Sequence, residues 1–308
     1  MQNYENQVKI LSEKYEVDTM TLGFGEFSVI KLSTDKNTKQ KLAIKFFSKD
    51  VDKNSHGLNI IENEIRLLSC VNCPNVIKIY DYYLGDSPLK EEKGLSPNKY
   101  ISYIVLEYME RGDLFDLVKR KKSFPINIVR FFFKQLINGL YSLKKVNIAH
   151  RDIKLENLVI DNQYSLKIID FGFSCRIHDQ NERLIRYDYT LGTEGYMSPE
   201  VNRGEYFADK IDVFSAGVIL FCLLFGHAPF FKANKQDKFY SLFIEKDNRV
   251  YWEKILKNRT VHDDAIFLIN RMLAYDPLER IDVEEIFQTD FFNGETSSVN
   301  EVQEFFST

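Results

Sequence analysis

The spacing of apolar residues changes near Arg111 and Gly112, and this change limits the folds open to the chain more than any other feature. Before it, apolar runs such as SVIKL and KLAIKFF, with turn residues at 34–37 between them, predict strands, and residues 60–69 predict one isolated helix. Beyond it, apolar residues at helical spacing follow Pro125 and predict a long helix. About 90 sheet-rich residues followed by about 180 helix-rich residues predict an α+β protein with two lobes and a cleft.

Two more strands are predicted in the first part of the chain, over residues 76–84 and 100–108. Residues 85–98 (GDSPLKEEKGLSPN) separate them and are rich in Gly, Pro and charged side chains. This composition predicts a surface loop.

The longest apolar run, residues 213–226 (VFSAGVILFCLLFG), predicts a helix buried inside the protein. Its 14 residues fall short of the roughly 20 that are needed to span a bilayer. The first 17 residues lack the apolar core of a secretory signal, and Gln2 occupies the position where N-myristoylation requires glycine. We therefore expect no membrane span.

Composition narrows the function classes further. The chain is 44% hydrophobic and contains 25 Phe and 17 Tyr, which excludes a disordered protein. A net charge of -4 and a pI near 5.9 give no overall attraction to nucleic acid, so no nucleic-acid partner is expected. Four cysteines are too few for a disulfide scaffold and indicate a reducing compartment. We expect a cytoplasmic location, with nuclear access left open.

Cys70 and Cys73 form a CxxC pair, but no second pair follows at a spacing typical of zinc sites. We interpret both as small buried hydrophobic residues. The basic run at residues 119–122 is interpreted as a solvated end of a helix rather than as a nuclear targeting signal.

Two motifs carry the chemistry: HRDIKLEN at residues 150–157 and DFG at residues 170–172. Their seven fixed letters would coincide by chance about once in 10⁹ trials. On these motifs the chain resembles the eukaryotic protein kinase family over residues 15–292, and within its serine/threonine branch it resembles the calcium/calmodulin-dependent and AMP-activated groups.

The resemblance implies a two-lobed protein kinase fold, in which a small β-rich N-lobe carries one main helix and a larger C-lobe is mostly helical. The implied segments are an N-terminal extension at 1–14, an N-lobe at 15–107, a C-lobe at 108–292 and a short C-terminal tail at 293–308.

The N-lobe residues acquire roles through this resemblance. Lys45, in the LAIK motif, looks like the strand lysine that grips the α and β phosphates of ATP. Its carboxylate partner is by resemblance Glu64, with Glu62 as the competing candidate. The glycine-rich lid over the phosphates corresponds to Gly23, Gly25 and Ser28, where Ser28 replaces the third glycine of the family.

The adenine of ATP is implied to lie between the lobes, and Asp113 to lie near the ribose. Leu106 would gate a deeper pocket. The residues implied to surround the adenine are Leu22, Ile30, Ala43, Glu107, Met109 and Val159.

The C-lobe motifs supply the groups implied in phosphoryl transfer. Asp152 resembles the aspartate that orients the substrate hydroxyl and accepts its proton, and Lys154 resembles the lysine that neutralises the transferring phosphoryl group. Asn157 and Asp170 would hold Mg²⁺ through oxygen atoms, the ligands that this hard cation requires. His150 is interpreted as a packed structural residue. ATP and Mg²⁺ are therefore the implied cofactors.

Protein substrates with serine or threonine acceptors are implied by Lys154, by GTEGY at 192–196 and by SPE at 198–200, whereas tyrosine kinases carry other residues at these places. The bulky Phe173 after DFG favours serine over threonine in the family.

Asp113 and Glu156 occupy positions that, in the family, receive arginines located upstream of the acceptor. A moderate preference for basic residues is therefore expected, although Cys222 replaces another acid of the family.

Arg151 precedes the implied catalytic aspartate, and in relatives with that arginine a phosphate on the activation segment docks on it. An upstream activating kinase could act on Thr190 or on Tyr189, or Asp188 could serve as a built-in negative charge. The sequence leaves these alternatives open.

Two fold contacts are also implied: Asp212 would anchor the catalytic loop, and Arg280 would pair with Glu200. The rings of Phe305 and Phe306 in the tail could dock on the small lobe. The alternative function, from a different class, is a pseudokinase scaffold that binds partners without turnover.

Overall fold

The structure is a computed structural model that describes residues 9–10, 14–25, 28–47, 55–84, 102–245, 247–257 and 260–307. The chain divides into two compact units. Unit 1 consists of residues up to Cys70 together with Ile77–Glu110, and unit 2 consists of Val71–Val76 and the residues from Arg111 onward. The predicted loop at 85–98 lies outside the described residues.

Unit 1 contains an antiparallel sheet and one helix, α1 (Ser55–Leu68). The strands are β1 (Lys9–Ile10), β2 (Tyr15–Gly25), β3 (Ser28–Asp35), β4 (Lys41–Phe47), β5 (Ile79–Tyr83) and β6 (Tyr103–Glu107). Their order across the sheet is β1-β2-β3-β4-β6-β5. The strands predicted before the change in spacing are therefore present.

The side chains of β4 alternate between the two faces of the sheet. Ile44 is buried in one apolar cluster, whereas Phe47 is buried on the opposite face against Ile61 and Ile65 of α1. Lys45 is two residues from Phe47, so it lies on the face that α1 covers. This alternation brings a charged side chain next to the helix.

Several strand boundaries differ from the prediction: β6, for example, spans Tyr103–Glu107 rather than 100–108, and two other differences have a local cause. β5 begins at Ile79 rather than at residue 76, because Val76 forms an isolated bridge with Ile168 of unit 2. Asn75 strengthens this attachment: its side chain donates to the carbonyl oxygen of Leu166 at 2.9 Å. The turn after β3 lies at 36–40 rather than 34–37, because the carboxylate of Asp35, the last residue of β3, accepts the backbone N–H groups of Asn37 and Thr38 inside the turn.

Unit 2 is mostly helical. Its helices are α2 (Leu114–Lys121), α3 (Ile126–Lys145), α4 (Pro199–Arg203), α5 (Ile211–Phe225), α6 (Tyr240–Phe243), α7 (Arg249–Leu256), α8 (Asp263–Met272), α9 (Val283–Ile286), α10 (Asp290–Asn293) and α11 (Val299–Ser307). Together with the sheet of unit 1, these helices confirm the predicted α+β class.

Helix α5 is the centre of unit 2. Thirteen of its 15 residues are buried, as the apolar run at 213–226 predicts. Helix α8 packs closely on it at Gly217, where a Cβ atom would lie 2.8 Å from Cβ of Met272. Only glycine allows this distance between the two backbones. The long α3 begins directly after Pro125, as predicted.

Short strands of unit 2 flank the segments that contain the HRD and DFG motifs. The strands are β7 (Ile148–Ala149), β8 (Leu158–Ile160), β9 (Leu166–Ile168), β10 (Cys175–Arg176), β11 (Arg186–Tyr187) and β12 (Tyr206–Phe207). They pair antiparallel as β7 with β10, β8 with β9, and β11 with β12. One 3-10 turn, Leu155–Asn157, lies just after HRD, and a second, Phe171–Phe173, begins inside DFG directly after Asp170.

The C-terminal helix α11 belongs to unit 2 and packs on aromatic side chains of that unit. The ring of Phe306 stacks on Tyr164 with centroids 5.6 Å apart, and the rings of Phe305 and Phe306 meet Phe124 edge to face at 5.7 and 5.3 Å. The expectation that these two rings dock on the small lobe is therefore wrong. The aromatic residues of unit 2 offer a matching surface for them.

The interpretation of the CxxC pair as buried is wrong for Cys70, which is exposed, while Cys73 is half-buried. Both follow the end of α1, where the chain turns at the surface, and Cys70 Sγ donates to the carbonyl oxygen of Arg66. Across the described ranges, no helix combines the length and the apolar character that crossing a membrane requires.

Candidate active site

Lys45 and Glu64 form a buried ion pair in unit 1. Nζ of Lys45 lies 2.9 and 3.1 Å from the two carboxylate oxygens of Glu64, and the residues are 9% and 3% exposed. Glu64 shares a face of α1 with Ile61 and Leu68, because residues three or four apart along a helix are neighbours on its surface. Glu62, the competing candidate, is exposed. The helix therefore presents Glu64 to Lys45.

The glycine-containing segment lies where β2 and β3 meet. Gly25 faces Ser28 and Gly23 faces Ile30 across the two strands. A Cβ atom at Gly25 would collide with Oγ of Ser28, so the serine hydroxyl fits because Gly25 has no side chain. Residues 26–27 lie outside the described ranges.

Five of the residues predicted around the adenine belong to unit 1: Leu22, Ile30, Ala43, Glu107 and Met109. Ala43 and Met109 are buried, and Leu22 and Ile30 are half-buried. The carboxylate of Glu107 accepts the backbone N–H of Lys78 at 2.6 Å, which fixes the end of β6.

Asp113 and Val159 belong to unit 2, where an isolated bridge joins their backbones. The carboxylate of Asp113 accepts the N–H of Asp116 at 2.9 Å and so caps α2. Burial raises the pKa of Asp113. Asp113 thus has a capping role, which its place just before a predicted helix could have indicated.

The HRD segment is anchored by the buried helix α5. The backbone N–H groups of His150 and Arg151 donate to the two carboxylate oxygens of Asp212 at 2.6 and 2.9 Å. Asp212 lies in the first turn of α5, and its burial raises its pKa. The implied anchoring contact is present.

His150 itself is fully buried. Its Nε2 lies 2.9 Å from the carbonyl oxygen of Ile169, and its ring meets Phe171 edge to face with centroids 4.9 Å apart. These contacts support a packing role and join the HRD and DFG segments.

Asp152 is 7% exposed and lies at the centre of a closed hydrogen-bond network. Thr193 donates its hydroxyl to Oδ1 at 2.7 Å, and Nζ of Lys154 lies 2.8 Å from Oδ2. Lys154 also donates to the Thr193 hydroxyl at 2.9 Å, and Nδ2 of Asn157 donates to Oδ2 at 3.0 Å. Three different side chains therefore hold the carboxylate of Asp152 in one orientation.

Thr193 received no role from the sequence. It lies 41 residues after Asp152, and nothing in the local spacing connects the two. The sequence feature that could have pointed to Thr193 as a site residue is its place in the GTEGY segment.

Asn157 and Asp170 are the residues predicted to offer oxygen atoms to a cation. Asn157 uses Nδ2 to bind the carbonyl oxygen and the carboxylate of Asp152, so its Oδ1 is the atom that can meet a metal ion. Asp170 is exposed and adopts the left-handed conformation, with φ of 67°, directly before the 3-10 turn that follows it.

These donors fit Mg²⁺, which proteins hold through one or two carboxylates together with substrate phosphates. Within the part of the chain that the structure describes, no three or more His, Cys, Asp or Glu side chains converge as a metal cage.

The activation segment presents two exposed hydroxyl groups. The hydroxyl of Tyr189 accepts a hydrogen bond from Nη1 of Arg151 at 2.6 Å, and that of Thr190 donates to the carbonyl oxygen of Val201 at 3.3 Å. Asp188 is exposed and forms no ion pair with Arg151 among the described residues. The alternative in which Asp188 serves as a built-in charge is therefore not supported.

The residues implied in substrate recognition differ in exposure. Glu156 is exposed, whereas Cys222 is buried and its pKa is raised to about 12 by burial, with a further contribution from the charge of Glu156. Cys222 therefore remains a neutral thiol at neutral pH.

The remaining implied contact, between Arg280 and Glu200, is a buried bidentate pair at 2.6 and 2.9 Å.

Comparison with known proteins agrees with this geometry. The family model described as protein kinase domain matches residues 16–292. The chain is 35% identical over 274 residues to a SNF1-related protein kinase catalytic subunit alpha of Arabidopsis thaliana, covering 89% of this chain and 50% of that protein.

Two other relatives come from different organisms. Calcium-dependent protein kinase 5 of Plasmodium falciparum is 33% identical, covering 92% of this chain and 46% of that protein. Serine/threonine-protein kinase cds1 of Schizosaccharomyces pombe is 31% identical, covering 94% of this chain and 60% of that protein. The chain spans about half the length of the curated relatives it matches. Because the matched family model covers residues 16–292, which include the candidate site residues of each unit, the chain belongs to the protein kinase family.

Proposed function

We propose that this chain is a serine/threonine protein kinase that transfers the γ-phosphoryl group of ATP to hydroxyl groups of protein substrates. The observation that carries the proposal is the network in which Thr193, Lys154 and Asn157 all bind the carboxylate of Asp152. The family generally uses ATP and Mg²⁺.

In the proposed reaction, the substrate hydroxyl oxygen forms a bond to the γ-phosphorus. The bond from that phosphorus to the bridging oxygen breaks, and its electron pair leaves with ADP. Asp152 orients the hydroxyl and accepts its proton, while the ammonium group of Lys154 stabilises negative charge on the transferring group. The hydrogen bonds around Asp152 support this role because they orient its carboxylate before substrate binds.

Asn157, through Oδ1, and Asp170, through its carboxylate, would hold Mg²⁺. When bound, the ion supplies positive charge that neutralises the phosphate oxygens. The contribution of the chain is to fix the two donors: the hydrogen bonds of Nδ2 orient Asn157, and the backbone conformation of Asp170 sets the direction of its side chain.

Lys45 is proposed to bind the α and β phosphates, and its ion pair with Glu64 supports this role by fixing the ammonium group. Backbone N–H groups of the glycine-containing segment are proposed to approach the phosphates. The residues proposed to bind the nucleotide are Leu22, Gly23, Gly25, Ser28, Ile30, Ala43, Glu107, Met109, Asp113 and Val159.

For substrates, we propose a moderate preference for basic residues before the acceptor. The exposed carboxylate of Glu156 supports it, together with Asp113, because a guanidinium group pairs bidentately with a carboxylate. A peptide array with an acidic or proline-directed preference would contradict this part of the proposal. An upstream kinase is further proposed to modify the activation segment at Thr190 or Tyr189, which are both exposed.

The test is transfer from radiolabelled ATP, with Mg²⁺, to a generic basic protein, followed by identification of the phosphorylated amino acid. We expect phosphoserine and phosphothreonine with the wild type, and a rate lower by about 10²–10⁴-fold with Asp152→Asn. Asp263→Asn removes an exposed carboxylate in the first turn of α8 and is the matched control, with an unchanged rate.

The rival function is a pseudokinase scaffold. A well-folded wild type that carries phosphate on its activation segment and still transfers none to substrate would favour the scaffold.

A further inference from the structure

Three tyrosines surround the guanidinium group of Arg151 in unit 2. Nη1 of Arg151 donates to the hydroxyl of Tyr189 at 2.6 Å and to that of Tyr206 at 3.2 Å. The rings of Tyr187 and Tyr189 lie 5.0 and 5.3 Å from the guanidinium carbon. These are the distances of charge-assisted hydrogen bonds and of cation–π contacts.

All of these partners are uncharged. Nε of Arg151 donates to the backbone carbonyl of Phe173, which is also neutral. Over the described ranges no carboxylate side chain forms an ion pair with Arg151. Hydroxyls, a carbonyl and ring faces therefore already satisfy the guanidinium group, so its position does not depend on a bound anion.

Arg151 connects Tyr189 to the groups proposed for phosphoryl transfer. It directly precedes Asp152, and its own N–H is held by Asp212 at 2.9 Å. Phe173, whose carbonyl accepts from Nε, belongs to the 3-10 turn that follows Asp170. One side chain thus ties the hydroxyl of Tyr189 to the loop of the proposed base and to the loop of a proposed metal ligand.

The segment that carries Tyr189 is held by other unmodified side chains. Strands β11 and β12 place Tyr187 opposite Tyr206, with the two rings stacked 5.7 Å apart. The Tyr187 hydroxyl donates to the carbonyl oxygen of Arg176 at 2.6 Å, and its ring meets Tyr189 edge to face at 5.9 Å. These contacts order the segment up to Tyr189, although Tyr189 itself is 43% exposed.

We propose that Tyr189, in its unmodified form, is a positioning residue for phosphoryl transfer: its hydroxyl holds Arg151, and Arg151 holds the loops of Asp152 and Asp170. The inference rests on the proposed kinase function and deepens it. An upstream kinase that acts on Tyr189 or Thr190 then modulates a segment that is already ordered, and it does not create that order.

The test uses protein that mass spectrometry shows to be free of phosphate at Tyr189 and Thr190. This wild type is expected to transfer phosphate. Tyr189→Phe, which keeps the ring and loses the hydroxyl, is expected to lower kcat about tenfold with the KM for ATP changed less than about twofold. Combining Tyr189→Phe with Arg151→Gln should be no slower than Arg151→Gln alone, because Tyr189 acts through Arg151.

Tyr141→Phe is the matched control. Tyr141 lies on α3, where its ring packs on Phe287, and the same loss of a hydroxyl there should leave kcat unchanged. Hydrogen exchange provides a readout that does not need turnover: residues 186–207 should exchange faster in Tyr189→Phe than in the wild type and in Tyr141→Phe.

Two results would overturn the inference. One is a wild type that becomes active only after phosphate is added to Tyr189 or Thr190. The other is a Tyr189→Phe variant with the kcat and the exchange rates of the wild type. Absence of transfer in every phosphorylation state would instead contradict the kinase function, and exchange would still decide whether Tyr189 orders the segment.

Discussion

The hydroxyl of Thr193 lies between two charged groups and binds both. It accepts a hydrogen bond from Lys154 and donates one to Asp152. A hydroxyl can do both because it carries one donor and two acceptor sites. Without it, Lys154 and Asn157 would still bind Oδ2 of Asp152, but no side chain among the described residues would donate to Oδ1.

We therefore predict that Thr193→Val lowers kcat about tenfold or more, the size expected for a lost hydrogen bond to a charged group. Thr193→Ser keeps the hydroxyl and should recover most of the rate. Steady-state kinetics of peptide phosphorylation at saturating ATP measures both variants. Equal rates for the valine and serine variants would contradict the role of the hydroxyl.

The Lys45–Glu64 pair makes a different prediction, about stability. Glu64→Gln leaves a buried ammonium group beside a neutral amide, so the free energy of unfolding in urea should fall by about 2–3 kcal/mol. Glu62→Gln makes the same change at an exposed position of α1 and should cost about 0.5 kcal/mol or less. If both variants were equally stable, the pair would not have the strength assigned to it.

Among the elements, α9 and the end of α3 are joined by a cluster of charges. Asp282, which caps α9, lies 2.7 Å from Nζ of Lys144 on α3 and 3.4 Å from Nζ of Lys210. Burial acts to raise the pKa of Asp282, but the hydrogen bond and charge of Lys144, aided by Lys210, outweigh it and hold this pKa below its ordinary value.

A lowered pKa in the folded state means that Asp282 adds stability above its unfolded pKa, ordinarily about 3.9. That stability is lost as the pH falls from there through the lower folded pKa. Asp282→Asn should therefore be less stable than the wild type at pH 7 and should lose less stability on acidification below about pH 4. Urea unfolding across this range measures it. If the free energy of unfolding of Asp282→Asn fell as steeply with decreasing pH as that of the wild type, the lowered pKa of Asp282 would be contradicted.

A helix or strand could be predicted from the sequence where a pattern among neighbouring residues determines it. The spacing of Ile61, Ile65 and Leu68 gave the helix of unit 1, and the run at 213–226 gave α5, because burial on one face or on all faces leaves a repeating pattern. The HRD and DFG letters indicated Asp152 and Asp170 in a different way, as fixed letters at a fixed local spacing.

Other features depend on contacts between distant parts of the chain. Asn75 binds Leu166, 91 residues away, and Tyr189 binds Arg151, 38 residues away. The spacing of apolar residues along the sequence does not reveal contacts between residues this far apart. The attachment of residues 71–76 to unit 2 and the tyrosines around Arg151 therefore required the structure.

At the scale of the whole molecule, each of the two units has its own core and its own part of the proposed machinery. Unit 1 carries the Lys45–Glu64 pair, and unit 2 carries the network around Asp152 with Asn157 and Asp170. The central claim is that these groups act in one reaction, in which Asp152 affects the transfer step and not the binding of nucleotide.

The most direct test is a single-turnover measurement on enzyme loaded with ATP and Mg²⁺, mixed with a serine peptide, alongside the nucleotide Kd of the same protein. The account predicts that Asp152→Asn binds ATP within about threefold of the wild type and transfers phosphate about 10²–10⁴-fold more slowly. Transfer by Asp152→Asn at the rate of the wild type would contradict it.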